Sequence, residues 1–181
     1  MMISAVISAA ALLAQPPAVD IGSRLELMVD DYLVERLAGG ASFQLQHPVP
    51  REVAIVHDQP WEGSMCDYHT VFKDGGLFRM YYTMADIEVL PEGGISDKHP
   101  LFCGYAESPD GVHWAKPNLG LFEFNGSKEN NIVWMGEGAH DFDPFIDTNP
   151  DCKPEARYKC VALANGTLWA FQSPDAIHWT P

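Results

Sequence analysis

A chain of 181 residues is long enough for one ordinary domain. With 46% hydrophobic and 11% aromatic residues it has the means to bury a core, so composition excludes a disordered chain. The formal net charge of −14 repels phosphate backbones and anionic bilayers, which argues against nucleic acid and membrane as partners. Neutral carbohydrate, or a cation such as calcium, is left.

In chain order, Met1 to Ala14 is uncharged and apolar, and Gln15-Pro16-Pro17-Ala18 follows. Residues 1–18 resemble a secretory signal peptide, with cleavage after Ala14 or Ala18, although Lys and Arg are missing from its start. The apolar run is too short to span a bilayer. A secreted or periplasmic location is therefore expected. Residues 19–60 form an N-terminal segment. Leu25 to Val29 alternates as a strand does, and Asp30-Asp31 reads either as a short-helix cap or as an acidic pair.

An internal repeat follows. Glu107-Ser108-Pro109-Asp110-Gly111-Val112-His113-Trp114 returns as Gln172-Ser173-Pro174-Asp175-Ala176-Ile177-His178-Trp179. The upstream parts align as well. Thr70 to Asp74 lies opposite Asp143 to Asp147, Leu77 to Thr83 opposite Arg157 to Leu163, and Leu101 to Glu107 opposite Thr167 to Gln172. Each stretch is short, β-branched or aromatic, and bounded by Gly, Pro, Asn or Asp. After Trp114 the first copy continues into Leu121–Phe124 and Asn131–Trp134.

Each unit reads as a four-stranded antiparallel meander, the repeating unit of a β-propeller. A lone blade leaves an apolar face bare, so blades must stack. The expected fold class is all-β, a propeller fragment of about two blades. Residues 61–134 hold the first blade, and residues 135–181 a second that stops before its last strand. Residues 25–29 are a candidate ring-closing strand. Ser-Pro-Asp is turn chemistry, and the Trp after it packs between blades, so Ser108, Asp110, Trp114 and their counterparts are assigned to folding.

The four cysteines, Cys66, Cys103, Cys152 and Cys160, match no zinc spacing. They read as buried thiols, with Cys66–Cys103 one conceivable disulfide. Asn125-Gly126-Ser127 and Asn165-Gly166-Thr167 match the glycosylation sequon.

Ser108 to Pro117, Phe72 to Tyr82, and Val29-Asp30-Asp31-Tyr32-Leu33 together resemble the arabinanase, levansucrase and invertase superfamily. These are five-bladed propeller glycoside hydrolases of families 32, 43 and 68. The resemblance implies carboxylates around the axis, one protonating the leaving oxygen and another attacking or activating water. The Trp-Met-Asn-Asp-Pro-Asn-Gly run of family 32 is absent, and the general acid is expected past Pro181.

In such a ring the Ser-Pro-Asp turns lie on the rim opposite the site. Asp74 and Asp147 fall there too. The site rim receives Asp67, Tyr68 and His69 from the first blade, and His140, Asp141 and Asp143 from the second. Asp143, Asp67 and Asp141 are the candidate catalytic carboxylates, with loop capping the alternative for Asp141 and Asp143. Trp61 is a candidate sugar platform, with Glu62, His69 and His140 as polar contacts. The stretch Ala85 to Pro100 adds acidic residues at the same rim. No spacing specifies a cofactor or metal, and calcium is the one ion the acidic rim suits. The expected function is a glycoside hydrolase acting on poly- or oligosaccharide. The alternatives are a non-catalytic carbohydrate-binding propeller and an interaction scaffold.

Overall fold

The computed structural model describes residues 18–181, so the expected leader lies almost wholly outside the described residues. The chain divides into two compact units after Pro50. Residues 18–50 contain turns and no strand. Leu25, Leu27 and Val29 are exposed there, which corrects the strand expected over 25–29: alternation without a pairing partner does not make a strand. Asp30 does cap, but it caps a turn, its Oδ1 accepting the Tyr32 N–H at 3.0 Å.

The second unit is all-β. One sheet runs β1 (Met65–Asp74), β2 (Leu77–Val89), β3 (Ile95–Ser108) and β4 (Ile132–Met135), in that spatial order. The other runs β5 (Asp143–Ile146), β6 (Tyr158–Ala164) and β7 (Thr167–Ser173). All neighbouring pairs are antiparallel. Among the described residues, the sole helix is a 3-10 turn at Pro154–Ala156, and no helix is long and apolar enough to cross a membrane.

One expectation changes here. Leu121–Phe124 is not a strand; it leads into the Asn125-Gly126 turn, where Phe124 and Ser127 exchange backbone bonds of 2.8 and 3.0 Å. Both turn residues have positive φ, 49° and 82°, and Asn165-Gly166 between β6 and β7 repeats this with 51° and 72°. Asn-Gly suits such a turn, which accounts for both sequons without glycosylation. The stretch Ala85 to Pro100, expected to add acidic residues at the rim, lies largely in strands. It extends the β2–β3 hairpin, with Asp86 opposite His99 and Val89 opposite Ile95.

Side chains alternate across the first sheet. Tyr81, Cys103, Tyr105 and Val133 face the second sheet and pack with Phe142, Tyr158, Cys160, Ala162, Phe171 and Trp179. Met80, Tyr82, Met84, Phe102, Ala106 and Ile132 face the other way, beneath Ile55, Trp61, Trp114 and Phe122. Cys66 packs on this second face and Cys103 on the first, so the sheet lies between the two sulfurs and all four thiols are free.

The repeated turn is built identically twice. Ser108 Oγ accepts the Gly111 N–H at 2.9 Å, and Asp110 Oδ1 accepts the Val112 and His113 N–H groups at 2.9 and 2.8 Å. Ser173 and Asp175 repeat these bonds at 2.9, 2.9 and 2.8 Å. Each Trp Nε1 donates to the carbonyl three residues back, both at 3.2 Å. One backbone bridge closes each turn, Glu107 with Ala115 and Gln172 with Thr180. Ser108 is fully buried, and Ser108→Ala removes the acceptor shared by the Asp110 and Gly111 N–H groups. A loss of about 1–2 kcal/mol is expected, read from the urea midpoint at unchanged slope.

Candidate functional site

The strand ends fix where a site can lie. Met65, at the start of β1, pairs with Ala85, whereas Ser108 pairs with Phe78 beside the β1–β2 turn. Asp67 and the Ser-Pro-Asp turn therefore occupy opposite ends of the sheet, as the repeat implies.

At the Asp67 end, β1 runs beside β5, and Thr70 Oγ1 donates to Asp143 Oδ1 at 2.7 Å. Between them lies a cleft of about 290 Å³ lined by Tyr68, His69, Thr70, Asp141, Phe142 and Asp143. It brings together four residues expected at the rim, Tyr68, His69, Asp141 and Asp143. His140 adjoins it, paired through Nδ1 with Asp141 Oδ2 at 3.1 Å and in edge contact with Tyr68 at 5.1 Å.

The backbone here is strained on both sides. Tyr68 has φ 49° and Asp141 φ 56°. An Asp tolerates the left-handed region, but a Tyr there costs of order 1–3 kcal/mol and persists only where its surroundings impose it. On β1 the pairing register slips between Asp67 and Thr70. That bulge turns Tyr68 and His69 outward and re-aims the strand. Asp67 does not line the cleft, and its Oδ1 is buried without a hydrogen-bond partner.

Trp61 and Glu62 do not line this cleft. Glu62 has no exposed surface. Its Oε1 accepts from Tyr82 Oη at 2.8 Å and His57 Nδ1 at 3.0 Å. Its Oε2 accepts from Lys116 Nζ at 2.7 Å and the Gln59 N–H at 2.8 Å. Burial pushes this carboxyl up, but the bonds from His57, Lys116, Gln59 and Tyr82 outweigh it and hold the pKa at about 2. Asn131 links the same network to Trp61, accepting its Nε1–H at 2.6 Å and donating to Tyr82 Oη at 2.7 Å. Trp61 borders a second, separate hollow of about 250 Å³ with Phe124, Asn125 and Asn130.

The donor atoms of His57, Glu62 and Cys66 lie within 4.8 Å of one another, the spacing of a metal site. The chemistry fits poorly. All four Glu62 contacts come from donors, one of them the Lys116 ammonium. Burial and the Glu62 charge push the Cys66 thiol up to about 12, away from the thiolate a metal needs.

No family model, curated protein or solved structure matches the chain. His57, Lys116 and Thr70 are the residues around the site that sequence reasoning did not select. His57 and Lys116 carried no local signal, since their shared partner Glu62 is 5 residues from one and 54 from the other.

Proposed function

We propose that the chain belongs to an exported β-propeller that acts on carbohydrate at the β1–β5 cleft, by glycoside hydrolysis. The observation that carries this is the pairing of Asp141 and Asp143 in one cleft with His69 and the aromatic Tyr68. Sugars are held by aromatic faces and hydroxyl-bonding polar groups, and hydrolysis needs two carboxyls flanking the bond.

The register of the repeat supports the propeller. Phe72 pairs with Arg79 as Phe145 pairs with Lys159. By that alignment the first-sheet face carrying Tyr81 and Tyr105 corresponds to the second-sheet face carrying Val161 and Ala170. The first of these faces is covered by the second sheet. The second is bare, with Phe145, Val161, Leu163 and Leu168 exposed. Sheets stacked head to tail present the same face at each step, and such stacking closes into a ring when the rotation permits.

A screen of neutral plant and algal glycans for binding and hydrolysis tests the reading, with Asp143→Asn as the comparison. Asp143→Asn keeps the Thr70 contact and is expected to abolish turnover, at least 100-fold, without lowering the unfolding midpoint. Unchanged turnover removes Asp143 from the chemistry. A non-catalytic binding propeller is the second reading, favoured by the bonds that already occupy an oxygen of Asp141 and of Asp143. It predicts glycan binding without hydrolysis in both proteins.

A further inference from the structure

The His57 and His69 rings meet through their Nε2 atoms, 3.0 Å apart in hydrogen-bond geometry. Two imidazole nitrogens this close require one to donate and the other to accept, and neighbouring charge decides which. Glu62, buried and ionised, only accepts, so the proton on its bond to His57 sits on Nδ1 of His57. A neutral His57 then has a bare Nε2, and the proton between the rings belongs to Nε2 of His69. That leaves Nδ1 as the basic nitrogen of His69, a ring that lines the cleft.

The surroundings keep both rings in place. Tyr82 lies 4.5 Å from His57 and stacks on His69 at 5.5 Å, centroid to centroid. Tyr82 itself is held by Glu62 and Asn131. Burial and the nearby His57 lower the His69 pKa from its ordinary value, and Asp67 opposes them. A second proton on the pair would set two N–H groups against each other, so the two rings carry at most one extra proton.

We propose that Glu62, His57 and His69 form a carboxylate–histidine–histidine relay that fixes the tautomer of His69 and presents its Nδ1 as an acceptor to a hydroxyl-bearing ligand. Glu62 and His57 are positioning residues; neither lines the cleft. The ligand class rests on the carbohydrate reading above, while the tautomers do not. An anion is the wrong ligand for a bare imidazole nitrogen, whereas a sugar hydroxyl supplies the proton that Nδ1 lacks. A metal bridging the rings is the competing use of the same pair. Bonds of about 2.0 Å to zinc would spread the two nitrogens to roughly 3.3 Å around a tetrahedral ion.

Nitrogen-15 NMR of the whole chain at pH 8 decides the matter. The relay predicts a pyrrole-like Nδ1 and pyridine-like Nε2 in His57, and the reverse pattern in His69. A pyrrole-like Nδ1 in His69, or averaged nitrogens in either ring, overturns it. So does one equivalent of zinc that shifts both Nε2 signals together. His57→Phe keeps a ring against Tyr82 and is expected to raise the His69 titration midpoint and to average its tautomers; an unchanged His69 there also overturns the relay. Failure of every glycan to bind would sink the carbohydrate reading and leave these signals as they are.

Discussion

Glu62→Leu is expected to lower the free energy of unfolding by about 3–5 kcal/mol, the usual cost of removing one partner from a buried ion pair. The loss is not the missing carboxylate alone. The Lys116 side chain, only 14% exposed, is left with the Val56 carbonyl at 2.6 Å and, at 3.7 Å, the exposed carboxylate of Asp58. His57 Nδ1, Tyr82 Oη and the Gln59 N–H lose their acceptor as well. If the stranded ammonium dominates, adding Lys116→Met to Glu62→Leu restores a large part of the loss, and guanidinium midpoints of the single and double variants measure it. The same group predicts the acid behaviour. Its pKa falls from 4.5 to about 2 on folding, so its stabilisation is complete above pH 4.5 and is lost as the pH drops toward about 2. Wild-type midpoints should decline across that window, and Glu62→Leu should flatten that part of the decline.

Local chemistry made much of the fold legible. Ser-Pro-Asp and Asn-Gly specify their turns over a few residues, and the alternation in Leu77 to Thr83 fixes which side chains meet the neighbouring sheet. Once two turns were seen to repeat, the opposite strand ends followed, and with them the neighbourhood of His69, Asp141 and Asp143. What could not be read depended on partners distant in sequence. Leu25 to Val29 alternates like β6 but pairs with no strand among the described residues. Glu62 looks like any surface glutamate until Lys116, Tyr82 and His57 converge on it. The Asp67–Thr70 bulge changes the facing of Tyr68 and His69 without a Gly or Pro to announce it.

Asp74 and Asp147 are repeat-equivalent, yet their replacement by alanine is expected to differ sharply. Asp74 joins the two sheets. Its Oδ2 accepts from Arg79 Nε at 2.9 Å within its own sheet and from Tyr158 Oη at 2.7 Å in the next, while Oδ1 accepts from Arg157 at 2.9 Å. Burial raises this carboxyl, but the bonds from Tyr158 and Arg79 more than reverse the shift and leave it ionised. Asp147 pairs with Lys159, the counterpart of Arg79, and accepts the Asn149 N–H at 2.9 Å, but it takes no bond from another sheet. Asp74→Ala takes the carboxylate from Arg79, whose side chain is only 15% exposed and keeps its bond to Tyr105 Oη, and cuts two of the ties between sheets. A loss of about 3 kcal/mol is expected, seen as a lower Tm and as faster amide exchange in β5 and β6. Asp147→Ala should leave Tm almost unchanged, because its contacts are local and its Lys159 partner is 42% exposed. If the two variants lose equally, the carboxylates serve only their own turns and the head-to-tail stacking read from the repeat is wrong. If Asp147→Ala is neutral in this chain but costly when a third repeat covers Phe145 and Val161, the same latch operates at each step of the stack.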